Sequence, residues 1–328
     1  MPKLSVMVPV YNVKDYLPKC LDSIIYPELE DYEIVLVNDG STDGSGEICL
    51  EYQERFPDLI RVITTPNGGL GAARDVGIDA AGGEYIIFLD SDDYLSPNAL
   101  PEMMDVIRDE YDIIFFDLRS VNEQGKTLKY IHGCSIEGEF TLESFPELLF
   151  EMPSAWNKIY RRSLFTENKI YYPGRVWYED MYVTPKLYTI AGKMFSVHKC
   201  WHNYLQRAGS ITNNKNTSRN LEIIPAVNSM LNAFREAGLF EKYRSQLEYS
   251  AFYNQVLTTS TRVNLADPKS TVQDQVYDDF LKKFPGYLSN PYLSKMPFKY
   301  KLIHYMIRRR MRLPLHWLMK LNNRVRGK

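Results

Sequence analysis

Long apolar runs, paired cysteines and metal-binding histidine motifs are all absent from this 328-residue sequence. No run reaches the roughly 18 apolar residues that a membrane-spanning helix needs. The four cysteines form no CxxC or CxxH pair, and the five histidines form no HxxH or HExxH pair. These absences argue against a zinc cage and a disulfide framework, so a soluble globular protein with reduced cysteines is expected.

Acidic residues are missing from the last part of the chain. None follows Asp279, whereas 13 basic residues do, and the net charge of −2 therefore divides into −15 before that point and +13 after it. The tail, residues 280–328, alternates apolar and cationic residues at near-helical spacing and includes Tyr305 and Trp317. This pattern favours an anionic membrane surface as the partner over nucleic acid, with a solvated basic helix as the third interpretation.

The first hundred residues alternate between strand and helix patterns. The opening stretch LSVMVPVYN indicates a buried first strand rather than a signal peptide, because its apolar run is short and soon broken by polar residues. YEIVLVNDG, IRVITTP and EYIIFLD predict three more strands, with amphipathic helices between them. Strands separated by helices of this length predict a doubly wound, mostly parallel α/β sheet.

Further strands are predicted for YDIIFFDLRSV and MFSVHKCWHNYLQR, and mainly helical structure for SAWNKIYRRSLF and WYEDMYVTPKLYTIAG. A polar loop near residues 213–218 marks the predicted domain boundary. We therefore expect an α/β domain over residues 1–212 and a mainly helical extension over residues 213–328.

Polar residues stand where three of the predicted strands end, which is where open α/β sheets bind ligands. They are Tyr11-Asn12, Asn38-Asp39 and the run from Asp90 to Asp93. Single residues of this kind are more often turn or cap residues. The carboxylates of Asp90 and Asp92, however, follow a very apolar strand, and a hard cation such as Mg²⁺ or Mn²⁺ would offset their repulsion.

The stretch GGLGAARDVG resembles a dinucleotide fingerprint only in part, because it follows the third strand and has Arg74 where a glycine is expected. A helix N-terminus with Arg74 directed at a phosphate is the better interpretation, with a surface arginine as the alternative. Glu179-Asp180 stands among aromatic residues and suits a general base, although a helix-start pair is the simpler interpretation. Trp156, with Lys158 nearby, can be interpreted as a stacking surface for a ligand, although a tryptophan in such a stretch is more often part of the core.

Four ordered motifs together resemble the family 2 glycosyltransferases of GT-A fold, especially bacterial enzymes that build capsule, exopolysaccharide or cell-wall glycans. These are SVMVPVYNVKDYLPKCLDSI, EIVLVNDGSTDGS, NGGLGAARDVGIDAAGGEYIIFLDSDD, and YED followed by RAGSIT. The resemblance spans roughly residues 3–212. It implies an inverting, metal-dependent transfer of a sugar from a UDP-sugar to a hydroxyl group of a glycan or a polyprenyl-diphosphate-linked oligosaccharide.

The resemblance also implies roles for individual residues at the donor end. Pro9 and Tyr11 would cradle the nucleobase, Asp39 would accept a hydrogen bond from uracil, Asp90 would reach the ribose, and Arg74 would help to hold the diphosphate. Asp92 would be the ligand of Mn²⁺ or Mg²⁺.

At the acceptor end, the resemblance implies that Asp180 is the base and that Glu179 orients Asp180 or the acceptor. Between the donor and acceptor ends, Trp156 and Lys158 would line the pocket of the donor sugar and the acceptor, while Arg207 and Ser210 would close over the diphosphate of the donor. Asn38 and Asp75 depart from the usual pattern of the family, and no third metal ligand is evident.

We expect such an enzyme to lie in the cytoplasm, on the inner face of the plasma membrane, without a nucleic-acid partner; a homodimer remains open. A catalytically idle sugar-nucleotide-binding or scaffold protein is the alternative. An NAD-dependent oxidoreductase is a third hypothesis, which the misplaced glycines weaken.

Overall fold

The computed structural model describes residues 1–107, 111–207 and 217–325, with side chains up to residue 321. The chain divides into two compact units. The first consists of Met1–Phe145 and Glu151–Ala208, and the second of Pro146–Phe150 and Gly209–Lys328. The short segment Pro146–Phe150 thus belongs with the C-terminal residues. The predicted division between residues 212 and 213 assigns this segment to the N-terminal domain.

The first unit is an α/β structure in which helices connect the early strands. Its strands are β1 (Leu4–Val10), β2 (Tyr32–Asn38), β3 (Ile60–Thr64), β4 (Tyr85–Phe88), β5 (Tyr94–Leu95), β6 (Ile113–Val121), β7 (Thr127–Ile131), β8 (Gly138–Phe140), β9 (Lys158–Arg161) and β10 (Met194–Leu205). Its helices are α1 (Leu17–Asp22), α2 (Ser45–Arg55), α3 (Leu70–Ala80), α4 (Ala99–Val106), α5 (Ser163–Thr166) and α6 (Glu179–Tyr188).

The strands form one mixed sheet in the order β3-β2-β1-β4-β9-β6-β10-β5, with β7 beside β6 and β8 beside β10. β1 pairs in parallel with both β2 and β4, β2 with β3, and β6 with β10. Parallel pairing places the carboxyl ends of these strands at one edge. The predicted α/β fold with a mostly parallel sheet is confirmed.

One helical prediction is wrong in part. Within SAWNKIYRRSLF, residues Lys158–Arg161 form β9, which pairs antiparallel with β4 and β6, and only Ser163–Thr166 is helical. Ile159 and Tyr160 are fully buried in this central position. Burial on both faces of a sheet favours a β-branched and an aromatic residue, and this tertiary environment overrides the local pattern.

One core cluster of the first unit lies on the face of the sheet that α1, α2 and α4 cover. Every residue of β1 is buried, and its neighbours in β2 and β4 are almost as well enclosed. Leu17, Leu21, Leu100 and Met103 from the covering helices are fully buried in the same cluster. Their side chains recur at helical spacing, which is why the sequence forms amphipathic helices here.

The second unit is helical, as predicted for the C-terminal extension. Its helices are α7 (Ile223–Glu236), α8 (Arg244–Ala251), α9 (Thr259–Ala266), α10 (Val272–Lys283), α11 (Pro291–Lys295), α12 (Phe298–Arg308) and α13 (Arg312–Val325), and a π-helix (Phe252–Thr258) joins α8 to α9. The described residues of this unit also form short 3₁₀ helices at Pro146–Phe150, Ser218–Glu222 and Tyr287–Ser289. None of the helices that the structure describes has the length and apolar character required to cross a membrane.

Candidate functional site

The carboxylate of Asp39 lies at the carboxyl edge of the sheet, directly after β2. It is buried, with 3% exposure, and its backbone N–H donates to the carbonyl oxygen of Val10 at 2.9 Å. Its two side-chain oxygens accept hydrogen bonds from the backbone N–H groups of Gly68 at 2.6 Å and Gly69 at 2.8 Å. Asp39 therefore fixes the loop that enters α3.

Arg74, on α3, is the centre of a buried charge cluster. Its Nη1 lies 2.8 Å from Asp180 Oδ1 and 3.1 Å from Glu179 Oε1, and its Nη2 lies 3.2 Å from Asp90 Oδ1. Its guanidinium is 5.3 Å from the ring centre of Tyr172. A single cation thus joins a carboxylate at the end of β4 to two at the start of α6.

This position of Arg74 differs from the predicted one. The side chain was expected to face a diphosphate, but it is 2% exposed and its two terminal nitrogens are engaged with carboxylates. Only Nε is buried without a hydrogen-bond partner among the described residues. In this structure Arg74 holds Asp90, Glu179 and Asp180, and its contact with a diphosphate stays a prediction.

The cluster shifts the acidities of its members. Burial raises the pKa of Asp90 to about 6, against the opposing effect of Arg74, and the charges of Asp93, Asp92 and Asp180 add to the rise. Burial, followed by the charge of Asp180, raises the pKa of Glu179 to about 7, again opposed by Arg74. Close carboxylates in a poorly solvated site are expected to behave in this way.

Glu179 and Asp180 are the first two residues of α6. The preceding residue, Tyr178, has the left-handed value φ 65°, which is uncommon for a bulky side chain. The turn directs both acidic side chains towards Arg74 from the helix N-terminus, where backbone N–H groups favour negative charge. Asp180 Oδ2 also accepts the backbone N–H of Ala155 at 3.1 Å.

Lys158 lies beneath the loop that carries Ala155. Its ammonium donates to the carbonyl oxygens of Ser154 at 2.7 Å and Met152 at 3.1 Å, and to Asn157 Oδ1 at 2.6 Å. The side chain is fully buried, and burial lowers its pKa to about 7. The predicted place in a sugar pocket does not fit this position, because the three hydrogen bonds use all three ammonium protons.

Trp156 follows Ala155 in the same loop and is 9% exposed. Its ring stacks on Tyr204 at a centroid distance of 5.2 Å and lies 4.9 Å from the ring of His202. Trp156 is therefore the neighbour in sequence of Ala155, whose N–H binds Asp180. Rings of β10 cover its own ring.

Asp92 and Arg207 form an ion pair near the end of β4. Asp92 Oδ2 lies 2.6 Å from Arg207 Nε, and about a quarter of each side chain is exposed. An accessible carboxylate two residues after Asp90 fits a Mg²⁺ or Mn²⁺ ion of the kind that is bound by one or two carboxylates together with substrate phosphates. Arg207 supplies the counter-charge for Asp92 in this structure.

Asp93 differs from its neighbours in being fully enclosed. Its Oδ2 lies 2.8 Å from His202 Nε2, and its Oδ1 accepts the backbone N–H of Leu205 at 2.7 Å. The interpretation of Asp93 as a residue that fixes the turn fits these contacts. His202 is fully buried against it, so it is not placed to supply the third metal ligand that the sequence left open.

Of the remaining predicted residues, Pro9 is buried within β1, whereas Tyr11 beyond it is 50% exposed and accessible to a ligand. Ser210 lies outside the described residues. Asn38 and Asp75 have structural partners, since Asn38 Oδ1 accepts the N–H of Ser41 and Asp75 Oδ1 accepts the N–H of Tyr172.

No local sequence pattern indicates the contacts that assemble this cluster. Arg74 and Asp180 are 106 residues apart, and Ala155 contributes only its backbone N–H, which any residue other than proline could supply. The burial of Lys158 can be inferred from its position in an apolar, strand-like run. The aromatic residues of that run are, however, its more conspicuous feature.

Comparison with known proteins was made for the sequence and for the fold. The model of the family described as "Glycosyl transferase family 2" matches residues 5–180. Glycosyltransferase GlyA of Streptococcus pneumoniae is 38% identical over 221 residues, which cover 64% of this chain and 31% of that protein. The poly(ribitol-phosphate) beta-glucosyltransferase of Bacillus spizizenii is 34% identical over 197 residues, which cover 58% of this chain and 30% of the relative.

Among solved structures, Staphylococcus aureus TarS 1-349 in complex with UDP-GlcNAc superimposes with a TM-score of 0.65 at 23% identity, covering 99% of this chain and 92% of that one. At this identity the match shows the fold, which is GT-A. The chain spans between 31% and 51% of the length of the first three curated relatives it matches.

Proposed function

The chain belongs to glycosyltransferase family 2, and we propose that it transfers a sugar from a UDP-sugar to a hydroxyl group of a glycan or lipid-linked oligosaccharide in surface polysaccharide synthesis. The observation that carries the proposal is the position of Arg74 between Asp90 and Asp180. It brings a carboxylate of the donor side and a candidate base to one place. The relatives that act on poly(ribitol-phosphate) and the TarS complex with UDP-GlcNAc support the substrate classes.

In the proposed reaction, Asp180 accepts the proton of the acceptor hydroxyl. The acceptor oxygen bonds to the anomeric carbon from the face opposite the diphosphate, and the bond between that carbon and the diphosphate oxygen breaks. A single displacement of this kind inverts the configuration. Asp180 is held for this role by Arg74 on one oxygen and by the Ala155 N–H on the other, and a fixed base needs no reorganisation during the reaction.

The donor nucleotide would lie along the strand ends. Each Asp39 oxygen accepts one backbone hydrogen bond and keeps a lone-pair site for a uracil N–H. Tyr11 is exposed for contact with the base, and Asp90 keeps one carboxylate oxygen outside its bond with Arg74 for the ribose. These assignments extend the resemblance to individual atoms.

A divalent metal is generally used by enzymes of this fold, and we place it at Asp92. Bound there, Mg²⁺ or Mn²⁺ would neutralise the charge that develops on the leaving diphosphate. Arg207 would then leave Asp92 and become available to the diphosphate itself. Arg207 would pair with Asp92 before the metal binds and with the diphosphate afterwards. Its side chain must therefore exchange one anionic partner for another, which its partial exposure permits.

A screen of UDP-sugars with the purified full chain and Mn²⁺, followed by release of UDP, tests the proposal. Asp180→Asn should lower the turnover at least about 100-fold, the usual contribution of a general base, while UDP binding is retained. Asp58→Asn, at an exposed position on the same unit, is the matched control. An Asp180→Asn protein with normal turnover would remove the base assignment.

We also propose that the chain works in the cytoplasm, at the inner face of the plasma membrane, through α12 and α13. Leu313, Trp317 and Leu321 follow one another at intervals of four residues on α13 and are 60%, 66% and 58% exposed. On the opposite side of α13, Leu315 is buried and His316 Nδ1 lies 2.9 Å from the carbonyl oxygen of Asn264. An exposed apolar row with cations nearby is typical of a helix that lies in the headgroup region.

The available positive charge is smaller than the sequence indicates. Arg310 and Arg312 are bonded to acidic residues of α10, Arg310 to Asp278 at 2.8 Å and Arg312 to Asp274. Arg308, Arg309 and Lys320 are exposed and remain for anionic lipid. Apolar contact should therefore contribute more of the binding than the count of cations implies.

Sedimentation of the full chain with vesicles, with and without anionic lipid, tests this surface. Trp317→Ser combined with Leu313→Ser should abolish co-sedimentation with anionic vesicles. Leu50→Ser, which removes a 50% exposed leucine from the first unit, should leave it unchanged. Equal sedimentation of the three proteins would refute the proposal.

A further inference from the structure

Three potential metal ligands meet on the central sheet of the first unit. They are Asp117 of β6, His132, directly after β7, and His198 of β10, and one ligand atom from each lies within 4.8 Å of the others. His132 Nδ1 is 2.9 Å and His198 Nδ1 is 3.3 Å from the same atom, Asp117 Oδ2. Two imidazole nitrogens and one carboxylate oxygen thus converge on a single point.

The backbone is shaped to bring His132 to this place. The next residue, Gly133, donates its N–H to Asp117 Oδ1 at 3.0 Å and lies so close to β6 that a Cβ atom there would be 2.1 Å from the carbonyl oxygen of Phe116. No residue with a side chain fits without moving β6. His198 stands where the pairing of β10 with β6 shifts register between Val197 and Cys200.

From this convergence we propose a site for a zinc-class transition-metal ion at Asp117, His132 and His198. Two imidazoles with one carboxylate are a donor set that suits Zn²⁺, whereas Mg²⁺ and Mn²⁺ prefer oxygen ligands. The fourth position is open to water or to Glu137, whose carboxylate lies 3.5 Å from the backbone nitrogen of His198. Three protein ligands with one open position are a recognised zinc arrangement.

This site is separate from the metal site proposed at Asp92. Among the described residues, the ligand atoms that meet here are those of Asp117, His132 and His198, whereas Asp92 pairs with Arg207. The proposed ion at Asp117 therefore does not use the carboxylate of Asp92. A bound ion would fasten the segment between β7 and β8 to the middle of the sheet.

The simpler interpretation is a pair of hydrogen-bonded surface histidines, since 68% of the His132 side chain is exposed. Substitution by asparagine separates the two interpretations. An asparagine amide can reach close to the position of Nδ1 and keep a hydrogen bond to Asp117, but it is a poor zinc ligand. His132→Asn and His198→Asn should therefore fold normally and lose only the metal.

The test is a calorimetric titration of the chelator-treated full chain with Zn²⁺ in the absence of nucleotide, supported by the visible absorption of the Co²⁺-loaded protein. One ion should bind with a dissociation constant in the micromolar range or below and should raise the unfolding temperature. Affinity should fall at least tenfold in both histidine variants. His316→Asn, in the second unit, and Asp92→Ala should both bind as the parent does.

Three results would overturn the site. They are an absence of binding, binding that both histidine variants retain in full, and binding that is lost in Asp92→Ala or His316→Asn. The readout does not depend on transferase activity, so failure of this site and failure of the proposed function are distinguishable.

Discussion

Arg74 Nη1 lies 2.8 Å from Asp180 Oδ1, although 106 residues separate the two in the chain. The same guanidinium reaches Asp90 through Nη2, so α3, the end of β4 and the start of α6 meet at one buried cation. A buried charge without its partner is costly, and in this cluster three carboxylates depend on one arginine.

Arg74→Met should therefore lower the free energy of unfolding by about 3–5 kcal/mol, the usual cost of breaking a buried ion pair from one side. Urea denaturation at pH 7.5 measures it. Arg61→Met, at an exposed position, should change stability by less than about 0.5 kcal/mol. The deficit should shrink at pH 5, because the pKa values of Asp90 and Glu179, about 6 and about 7, allow these carboxyls to take up protons. A change below about 1 kcal/mol would contradict the central place of Arg74.

Arg207→Met should strengthen the binding of Mn²⁺ in the absence of nucleotide, because it removes the cation that now occupies Asp92 Oδ2. A partly exposed ion pair is worth up to about 1 kcal/mol, which corresponds to about a fivefold change in affinity. Titration of the protein with Mn²⁺, followed by electron paramagnetic resonance, measures the free ion. Asp92→Ala should weaken binding instead, and an opposite order of the two variants would exclude Asp92 as the ligand.

Lys158→Met should reduce turnover about tenfold or more and leave the dissociation constant of UDP within about twofold. The reason is that the Ser154 and Met152 carbonyl oxygens lose their donor, so the loop no longer fixes the Ala155 N–H beside Asp180. Lys129→Met, an exposed lysine of β7, is the control and should behave as the parent. Parallel losses of turnover and UDP affinity would indicate general unfolding of the site rather than lost positioning.

The second unit should lose stability as the pH falls from about 6.5 to about 4. Burial, aided by the charge of Arg308, lowers the pKa of His304 to about 4, and its Nε2 lies 2.8 Å from Tyr287 Oη. Below pH 6.5 the unfolded chain therefore binds a proton that the folded chain does not, which favours unfolding. The resulting loss in free energy of unfolding is at most about 3 kcal/mol, and contact of the partly exposed ring with water makes it smaller.

His304→Phe should flatten this part of the curve of unfolding free energy against pH. Burial lowers the pKa of His202 to about 4 as well, so the first unit retains a slope of the same sign in this variant. An unchanged slope in His304→Phe would show that other groups control acid unfolding.

The alternation of strands and helices, and the strand ends that carry polar residues, could be predicted because both depend on local patterns. β1, β2 and β4 are mainly apolar runs; Asp39 follows β2 directly and Asp90 stands two residues after β4. Residues at these strand ends lie at one edge whatever the rest of the chain does. The roles assigned to Pro9, Tyr11, Asp39 and Asp92 stay predictions.

The parts that could not be predicted depend on long-range contact. The local pattern of β9 predicts a helix, because its four residues gain their strand environment from β4 and β6, which lie far away in sequence. Arg74 was expected at a phosphate because its own neighbourhood shows a helix start and nothing of α6. The ligands Asp117, His132 and His198 follow no spacing rule, since three separate strands bring them together.

The segment Pro146–Phe150 has a consequence for protein synthesis. Leu148 and Leu149 are buried, and the ring of Phe150 lies 4.7 Å from those of Tyr249 and Tyr292. The residues that cover this segment leave the ribosome about 100 to 140 positions after it, which is several seconds to half a minute later at ordinary elongation rates. During that interval the nascent chain exposes an apolar segment, and at its start β9 and β10 of the first unit are still to be added. Chaperone dependence should therefore concentrate in this window, and a chain stalled before α8 should be its most aggregation-prone form.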